Sequence, residues 1–154
     1  MWKPTLDEFD QIFITIANCR GLGEAPVMAC LYTGAGTPDG CAPMPRSPEP
    51  AIGMPFDDNF ADRLMATLTL NPAVHDGAIL VGRAAGDMDY RVTGWSHRLF
   101  PPAIATVQFV NRGSAFNSCL AMSMVQRVDC LYLVARRAIH RFQAGSVSLI
   151  YDAG

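Results

Sequence analysis

The sequence lacks the features that mark a nucleic-acid-binding or membrane-spanning protein. Charged residues make up only 17% of the chain and the formal net charge is −2, so the basic excess of a broad nucleic-acid-binding surface is missing. No apolar run reaches the roughly 18 residues that a membrane span needs. The N-terminus has neither the basic start nor the apolar core of a signal peptide. We therefore expect a cytoplasmic protein with neither nucleic acid nor a membrane as a partner.

Cysteine is also too sparse to organise the fold. The five cysteines are an odd number and include no CxxC pair, so neither a disulfide framework nor a zinc site is indicated. We expect them to be reduced and mostly buried. A chain of 154 residues, half of them hydrophobic, is long enough to bury a core as one domain spanning residues 1–154.

Hydrophobic periodicity predicts alternating helices and strands. A capping-box pattern at Thr5 and Glu8 begins a first helix that ends before Gly21, with Phe9, Ile12 and Phe13 on its buried face. Two further helices are predicted at residues 60–70 and from Ser114, as N-cap, to about residue 126. Strands are predicted at residues 25–33, 77–83, 90–99, 129–135, 138–142 and 146–151. This order predicts a single α/β domain with a central mixed β-sheet flanked by helices.

Residues 34–55 form a Pro-rich segment. It holds six of the eleven prolines and four glycines, which disfavours regular structure and predicts a long loop. Two interpretations are open, an inert surface excursion or a lid or partner-binding flap, since long structureless loops are uncommon in compact domains.

Residues 64–81 join a helical pattern to a Pro-containing turn, a polar corner and a strand of buried type. The corner is His75-Asp76-Gly77-Ala78, and the stretch resembles the active-site opening of the diadenylate cyclase domain. In that family the matching Asp serves the metal and the ribose 3′-hydroxyl that attacks ATP. The resemblance implies this role for Asp76, with Gly77 and Ala78 allowing a nucleotide to approach the backbone. It also implies the family's mixed sheet flanked by helices.

The second half of the family's site is not preserved. The family's Gly-Thr-Arg-His-Arg segment aligns with Gly113, Ser114, Ala115, Phe116 and Asn117, so three basic phosphate-binding side chains are missing. Each would supply charge-assisted hydrogen bonds typically worth ~1.5–3 kcal/mol. We therefore expect ordinary ATP cyclisation to be abolished.

Other residues remain candidates for binding an anionic ligand. Ser114 begins a helix, where free backbone amides favour anions, and Arg112 and Arg136 flank that position along the chain or in the sheet. Phe116 either stacks on a base or belongs to the core. The predicted ligand-binding set is Asp76, Gly77, Ala78, Leu99, Arg112, Gly113, Ser114, Phe116, Asn117 and Arg136.

The neighbouring polar residues have plainer interpretations. Asp76 is either a ligand residue or a turn former, and His75 is expected to be a structural imidazole. If both lie on a strand, their side chains point to opposite faces and do not chelate one ion, so Asp76 alone is a weak metal candidate. His140 and Arg141, on a late hairpin, are expected to be solvated.

Three hypotheses of function follow. The first is a catalytically degenerate diadenylate-cyclase-like sensor, which binds a nucleotide or a nucleotide-derived signal, needs no cofactor for binding and acts through an effector protein. The second is an active cyclase or nucleotidyltransferase that makes a cyclic dinucleotide from ATP, with Asp76 as catalytic residue, Mg or Mn as cofactor and a homodimer as the working form. The third is a non-catalytic protein-interaction scaffold. An open, charged space between Asp76, Ser114 and Arg136 favours the first hypothesis, and a filled apolar pocket around Phe116 the third.

Overall fold

The computed structural model describes residues 6–19, 25–101, 113–136 and 138–153. In chain order its elements are α1 (Leu6–Cys19), β1 (Val27–Thr33), β2 (Cys41–Pro43), α2 (Phe60–Leu70), β3 (Ala78–Arg83), β4 (Arg91–Leu99), α3 (Gly113–Met122), β5 (Val128–Ala135), β6 (Ala138–Gln143) and β7 (Ser146–Asp152). A short 3-10 turn, Pro72–His75, connects α2 to β3. The predicted fold class is confirmed, because the chain forms a single α/β domain with a mixed sheet flanked by helices.

The sheet contains seven strands in the order β2-β4-β3-β1-β5-β6-β7. β1 and β3 are parallel, and every other neighbouring pair is antiparallel. The strands β1 and β3 therefore begin at the same end of the sheet at which β4 and β5 finish. We call this the site end, because the candidate site described below lies there.

Helices cover both faces of the sheet. In β1, Ala29 and Leu31 face the core shared with α1 and α2, whereas Cys30 and Tyr32 face the core shared with α3. This division follows from the two-residue period of a strand. The run of buried residues in β1 is therefore the signature of a central strand covered on both sides.

The first helix follows the prediction closely. Phe9, Ile12, Phe13 and Ile16 are all buried, and the Phe13 ring stacks on Tyr132 of β5 with 4.1 Å between centroids. The predicted cap at Thr5 and the predicted stop at Gly21 lie outside the described residues. None of the described helices combines the length and apolar character needed to cross a bilayer.

The third helix differs from the prediction at both ends. Ser114 is the second helical residue rather than the N-cap, and the helix ends at Met122. Just after it, the buried Ser123 hydroxyl donates to the Leu120 carbonyl at 2.6 Å and accepts from the Gly145 amide at 2.9 Å. These bonds attach the helix end to the β6–β7 turn, so the chain turns instead of continuing to residue 126.

The Pro-rich segment is not wholly irregular. Cys41–Pro43 forms the short strand β2, which pairs with β4 at the lateral edge of the sheet, where the missing N–H of Pro43 is tolerated. Around it, the Phe100 amide donates to the Gly40 carbonyl at 2.8 Å and the Met44 amide to the Ser96 carbonyl at 2.9 Å. The segment is therefore held along β4, which places its middle part at the site end.

Candidate functional site

A cavity of about 530 Å³ lies at the site end of the sheet. Its wall combines the start of β1, the corner before β3, the end of β4, the first turns of α3 and the Pro-rich segment. The lining residues are Ala25, Pro26, Met28, Met44, His75, Asp76, Gly77, Arg98, Leu99, Ser114, Ala115 and Ser118. The volume falls in the range of small-molecule sites, about 300–1,000 Å³.

The corner before β3 is built by local hydrogen bonds. The Asn71 side chain accepts from the Ala73 amide at 3.3 Å and starts the 3-10 turn, which closes with the Asp76 amide donating to the Ala73 carbonyl at 3.1 Å. Gly77 follows with φ +84, and a Cβ there would lie 2.9 Å from the His97 carbonyl oxygen. Glycine is needed here both for the left-handed backbone and for the close approach of β4.

The prediction that the side chains of His75 and Asp76 point to opposite faces assumed that both residues lie on a strand. Neither of them does. His75 ends the 3-10 turn, and Asp76 has extended backbone after it. The turn changes the direction of the chain between the two residues, and both side chains line the cavity. The strand geometry used to separate them therefore does not apply.

Asp76 is paired with an arginine that the sequence analysis did not single out. Arg46, in the Pro-rich segment, donates from Nη2 to Asp76 Oδ2 and from Nε to Ser96 Oγ, both at 3.2 Å. Ser96 in turn donates to the Val74 carbonyl at 3.2 Å. Only 20% of the Arg46 side chain is exposed, against 66% for Asp76, so the arginine is held by the fold while the carboxylate faces solvent.

A second arginine on the cavity wall is not engaged. Arg98 is exposed near the end of β4. Within the part of the chain that the structure describes, its side chain makes no hydrogen bond or ion pair. Opposite it in the lining are Ser114, Ala115 and Ser118 of the first turns of α3. The backbone amides of a helix's first turn lack intrahelical partners and favour anions. This part of the wall is therefore suited to a negatively charged group.

The structure brings some of the predicted ligand residues together at this cavity. Asp76, Gly77, Leu99 and Ser114 all line it. Ala78 is fully buried directly behind them, as the first residue of β3. These positions come from three separate parts of the fold, so their meeting at one cavity is a result of the topology.

Other predicted residues lie away from the lining. Gly113 is the exposed first residue of α3, and the Asn117 side chain donates back to its carbonyl at 3.2 Å. Arg136 follows β5 at the site end, exposed and with φ 52, but it does not line the cavity. Arg112 and the neighbouring Arg137 lie outside the described residues.

Phe116 is a core residue, which corrects its predicted alternative role in stacking on a base. Its side chain is only 4% exposed. The ring packs edge-to-face on Phe142 at 4.9 Å and on His140 at 5.3 Å between centroids. The helical spacing that placed Phe116 on one face with Leu120 is the spacing of a buried stripe. The contact with Phe116 also shows that the His140 ring packs against the core, contrary to the expectation that His140 is solvated.

The donor set of the cavity does not fit a resident Mg or Mn ion. Asp76 is the only carboxylate among the lining residues that the structure describes, and it is already paired with Arg46. Among the described residues, no group of three or more His, Cys, Asp or Glu side chains is placed to share a metal. Hard divalent cations are held by oxygen ligands, usually from one or two carboxylates together with substrate phosphates.

Comparison with known proteins supports the fold. No family model matches the chain, and no curated protein matches its sequence. A hypothetical membrane-spanning protein from Bacillus cereus has a TM-score of 0.60 at 10% identity, over 96% of this chain and 63% of that one. A double mutant of DacA from Staphylococcus aureus, a diadenylate cyclase, has a TM-score of 0.53 at 13% identity, over 96% and 91%.

This chain therefore spans 63% of the length of the Bacillus cereus protein. At identities of 10% and 13% these likenesses show the fold alone.

Proposed function

We propose that this chain is a diadenylate-cyclase-like domain that binds a nucleotide or a nucleotide-derived small molecule as a sensor, without cyclising ATP. The observation that carries the proposal is the cavity at the site end, where the Asp76-Gly77 corner faces the first turns of α3 across a space of about 530 Å³. The corner that resembles the family's site and the segment that aligns with its phosphate-binding half thus line one cavity.

The chemistry of the wall supports a ligand with both polar and anionic groups. Asp76 offers an exposed carboxylate oxygen to a hydroxyl or amine, and Arg98 offers to a phosphate a guanidinium that no described residue engages. Met28 and Leu99 supply apolar surface for a base or sugar. Few convergent polar groups on an otherwise apolar wall are typical of small-molecule sites.

The same wall is poorly equipped for adenylyl transfer. That reaction needs cationic groups or metal ions that take up charge on the triphosphate in the transition state. Ala115 lines the cavity and Asn117 bonds back to Gly113, at two of the three positions where the family has basic residues. Asp76, the one carboxylate that the described part of the wall provides, is engaged by Arg46. Binding without turnover is the function that fits these residues.

A panel of nucleotides tests the proposal. Purified protein is incubated with ATP, GTP, AMP and cyclic dinucleotides, and both melting temperature and products are followed, the latter by mass spectrometry. We expect stabilisation by at least one compound, about 2.7 kcal/mol at a concentration 100 times its Kd, with the nucleotide recovered unchanged.

Two variants localise the effect. Arg98→Ala should weaken the stabilisation, whereas Arg91→Ala, at the opposite end of β4, should leave it intact. Absence of any shift across the panel would favour a protein-interaction scaffold. Conversion of ATP to a cyclic dinucleotide that is lost in Asp76→Asn would instead establish an active cyclase.

A further inference from the structure

We infer that this cavity recognises a phosphate-bearing ligand without a divalent cation, because Arg46 acts as the built-in counter-charge of Asp76. The inference rests on the proposed function and adds a specificity-determining residue from the Pro-rich segment. It also narrows the ligand class to phosphates of low charge, such as a nucleoside monophosphate or a phosphodiester, and disfavours metal-bound triphosphates.

The first support is the way in which Arg46 is held. Its guanidinium bridges Asp76 Oδ2 and Ser96 Oγ, each at 3.2 Å. Ser96 is fully buried and has φ 53, in the irregular part of the β3–β4 pairing, and its carbonyl accepts from the Met44 amide. The arginine is therefore oriented by two side chains, one of them on a fully buried residue, before any ligand arrives, which lowers the entropy lost on binding.

The second support is the charge balance of the wall. Among the described lining residues Asp76 is the only acidic one and Arg46 matches it, which leaves Arg98 as the unmatched charge of that set. The first turns of α3 add partial positive charge to the same cavity. A ligand group bearing one or two negative charges fits this balance, whereas a triphosphate without its metal carries more charge than the wall matches.

The third support is the position of Arg46 relative to any metal that Asp76 would bind. A divalent cation on the paired oxygen of Asp76 would have to displace the guanidinium or lie a few ångströms from it, and like charges repel strongly at that separation. Displacement would also break the bond to Ser96 Oγ. Both costs disfavour a metal at Asp76.

Calorimetric titration with AMP separates the alternatives. We expect the wild-type protein to bind AMP with similar affinity in EDTA and in Mn²⁺. Arg46→Gln should lower that affinity about ten-fold, because the released carboxylate of Asp76 would then repel the phosphate. Arg46→Lys, which keeps a positive charge beside Asp76, should bind AMP more tightly than Arg46→Gln does. Arg63→Gln removes an arginine that is paired with Asp57 away from the cavity, and serves as the matched control.

Mn²⁺ binding by the protein alone gives a second readout, followed by electron paramagnetic resonance. We expect weak binding by the wild type and by Arg46→Lys, and tighter binding by Arg46→Gln, in which Asp76 is released. Tight Mn²⁺ binding by the wild type, or AMP binding that requires Mn²⁺, would overturn the inference. If no nucleotide binds under any condition, the proposed function fails. Equal Mn²⁺ binding by the wild type and by Arg46→Gln would in that case reject the role of Arg46 as well.

Discussion

At the scale of single residues, a few polar side chains connect elements that are distant in sequence. Asp10 on α1 accepts from Arg141 of β6 at 2.7 and 2.8 Å, and from the Tyr132 hydroxyl of β5 at 2.6 Å. The expectation that Arg141 is solvated was therefore wrong. Its hairpin position suggested exposure, whereas α1 covers this part of the sheet and supplies a partner.

Replacing this carboxylate tests its contribution to stability. Asp10 and Arg141 are only 16% and 20% exposed, so Asp10→Asn leaves a largely buried guanidinium without its counter-charge. We expect a loss of about 1–3 kcal/mol in the free energy of unfolding, measured by urea denaturation. Asp87→Asn, at an exposed turn, provides the control and should change stability little. Equal midpoints for the two variants would contradict this assignment.

His97 predicts a pH dependence of stability. Burial lowers the pKa of His97 below its usual value of 6.5, opposed by its hydrogen bond to the Trp95 carbonyl at 3.2 Å and by Glu49. The folded protein therefore takes up this proton at a lower pH than the unfolded chain does. The resulting contribution to stability is present above about pH 6.5 and is lost as the pH falls through 6.5 toward the folded-state pKa.

Denaturation of wild type and His97→Gln at pH 7.5 and at about pH 5.5 measures this effect. We expect the wild type to lose more free energy of unfolding between the two conditions than the variant loses. The His97 ring packs against Gly94, so the substitution also changes the packing there. Because each protein is compared with itself at the two pH values, that pH-independent change cancels. Equal slopes would mean that His97 does not titrate differently in the two states.

Local sequence signals identified several residues of the cavity wall, and their role in ligand binding stays a prediction. Asp76, Gly77 and Ser114 were identified from short segments, and they do line one cavity. Arg46 was missed because it lies 30 residues from its partner, in a segment whose composition shows only irregularity. No periodicity or spacing in the chain connects those two positions.

At the scale of elements, strands and helices with strong periodicity were placed to within one or two residues. β1, β3 and β5 were recognisable because central strands are long apolar runs. The end of α3 and the short strand β2 were not, because they depend on bonds to distant partners, Gly145 and β4 respectively. Met124, inside the predicted span of the helix, lies beyond its actual end and is 46% exposed.

The contact between β3 and β1 depends on a glycine. A Cβ at Gly82 would lie 2.7 Å from the Tyr32 hydroxyl oxygen and 2.8 Å from its Cε2 atom. Tyr32 is only 5% exposed and its hydroxyl bonds Thr93 Oγ1 at 2.7 Å, so the ring has little room to move. Gly82→Ala should therefore destabilise the protein by about 1–3 kcal/mol, as overpacking usually does.

Chemical denaturation beside a second glycine variant checks this prediction. A Cβ at Gly86, in the β3–β4 turn, meets nothing within 4 Å, so Gly86→Ala should change stability little. A Gly82→Ala protein as stable as Gly86→Ala would show that Tyr32 relaxes without cost.

At the scale of the whole molecule, the fold class followed from the sequence because the order of helices and strands leaves few arrangements open. The pairing of β1 with β3 and with β5 explains the candidate site, since it brings the Asp76 corner and the first turns of α3 to the same end of the sheet. The charge of that site did not follow from the sequence. It depends on how the Pro-rich segment runs along β4, which turns a predicted loop into part of the cavity wall.

The most direct test of the Asp76 cavity as the binding site is a nuclear magnetic resonance titration of nitrogen-15-labelled protein with the nucleotide that stabilises it best. If the ligand binds in this cavity, the shifted amides should cluster at the site end, around His75, Gly77, Arg98, Ser114 and Ser118. A smaller cavity of about 300 Å³, lined by Tyr90 and Asp129, lies at the opposite end of the sheet. Shifts confined to that cavity, or no shifts at all, would contradict the claim that the Asp76 cavity is the binding site.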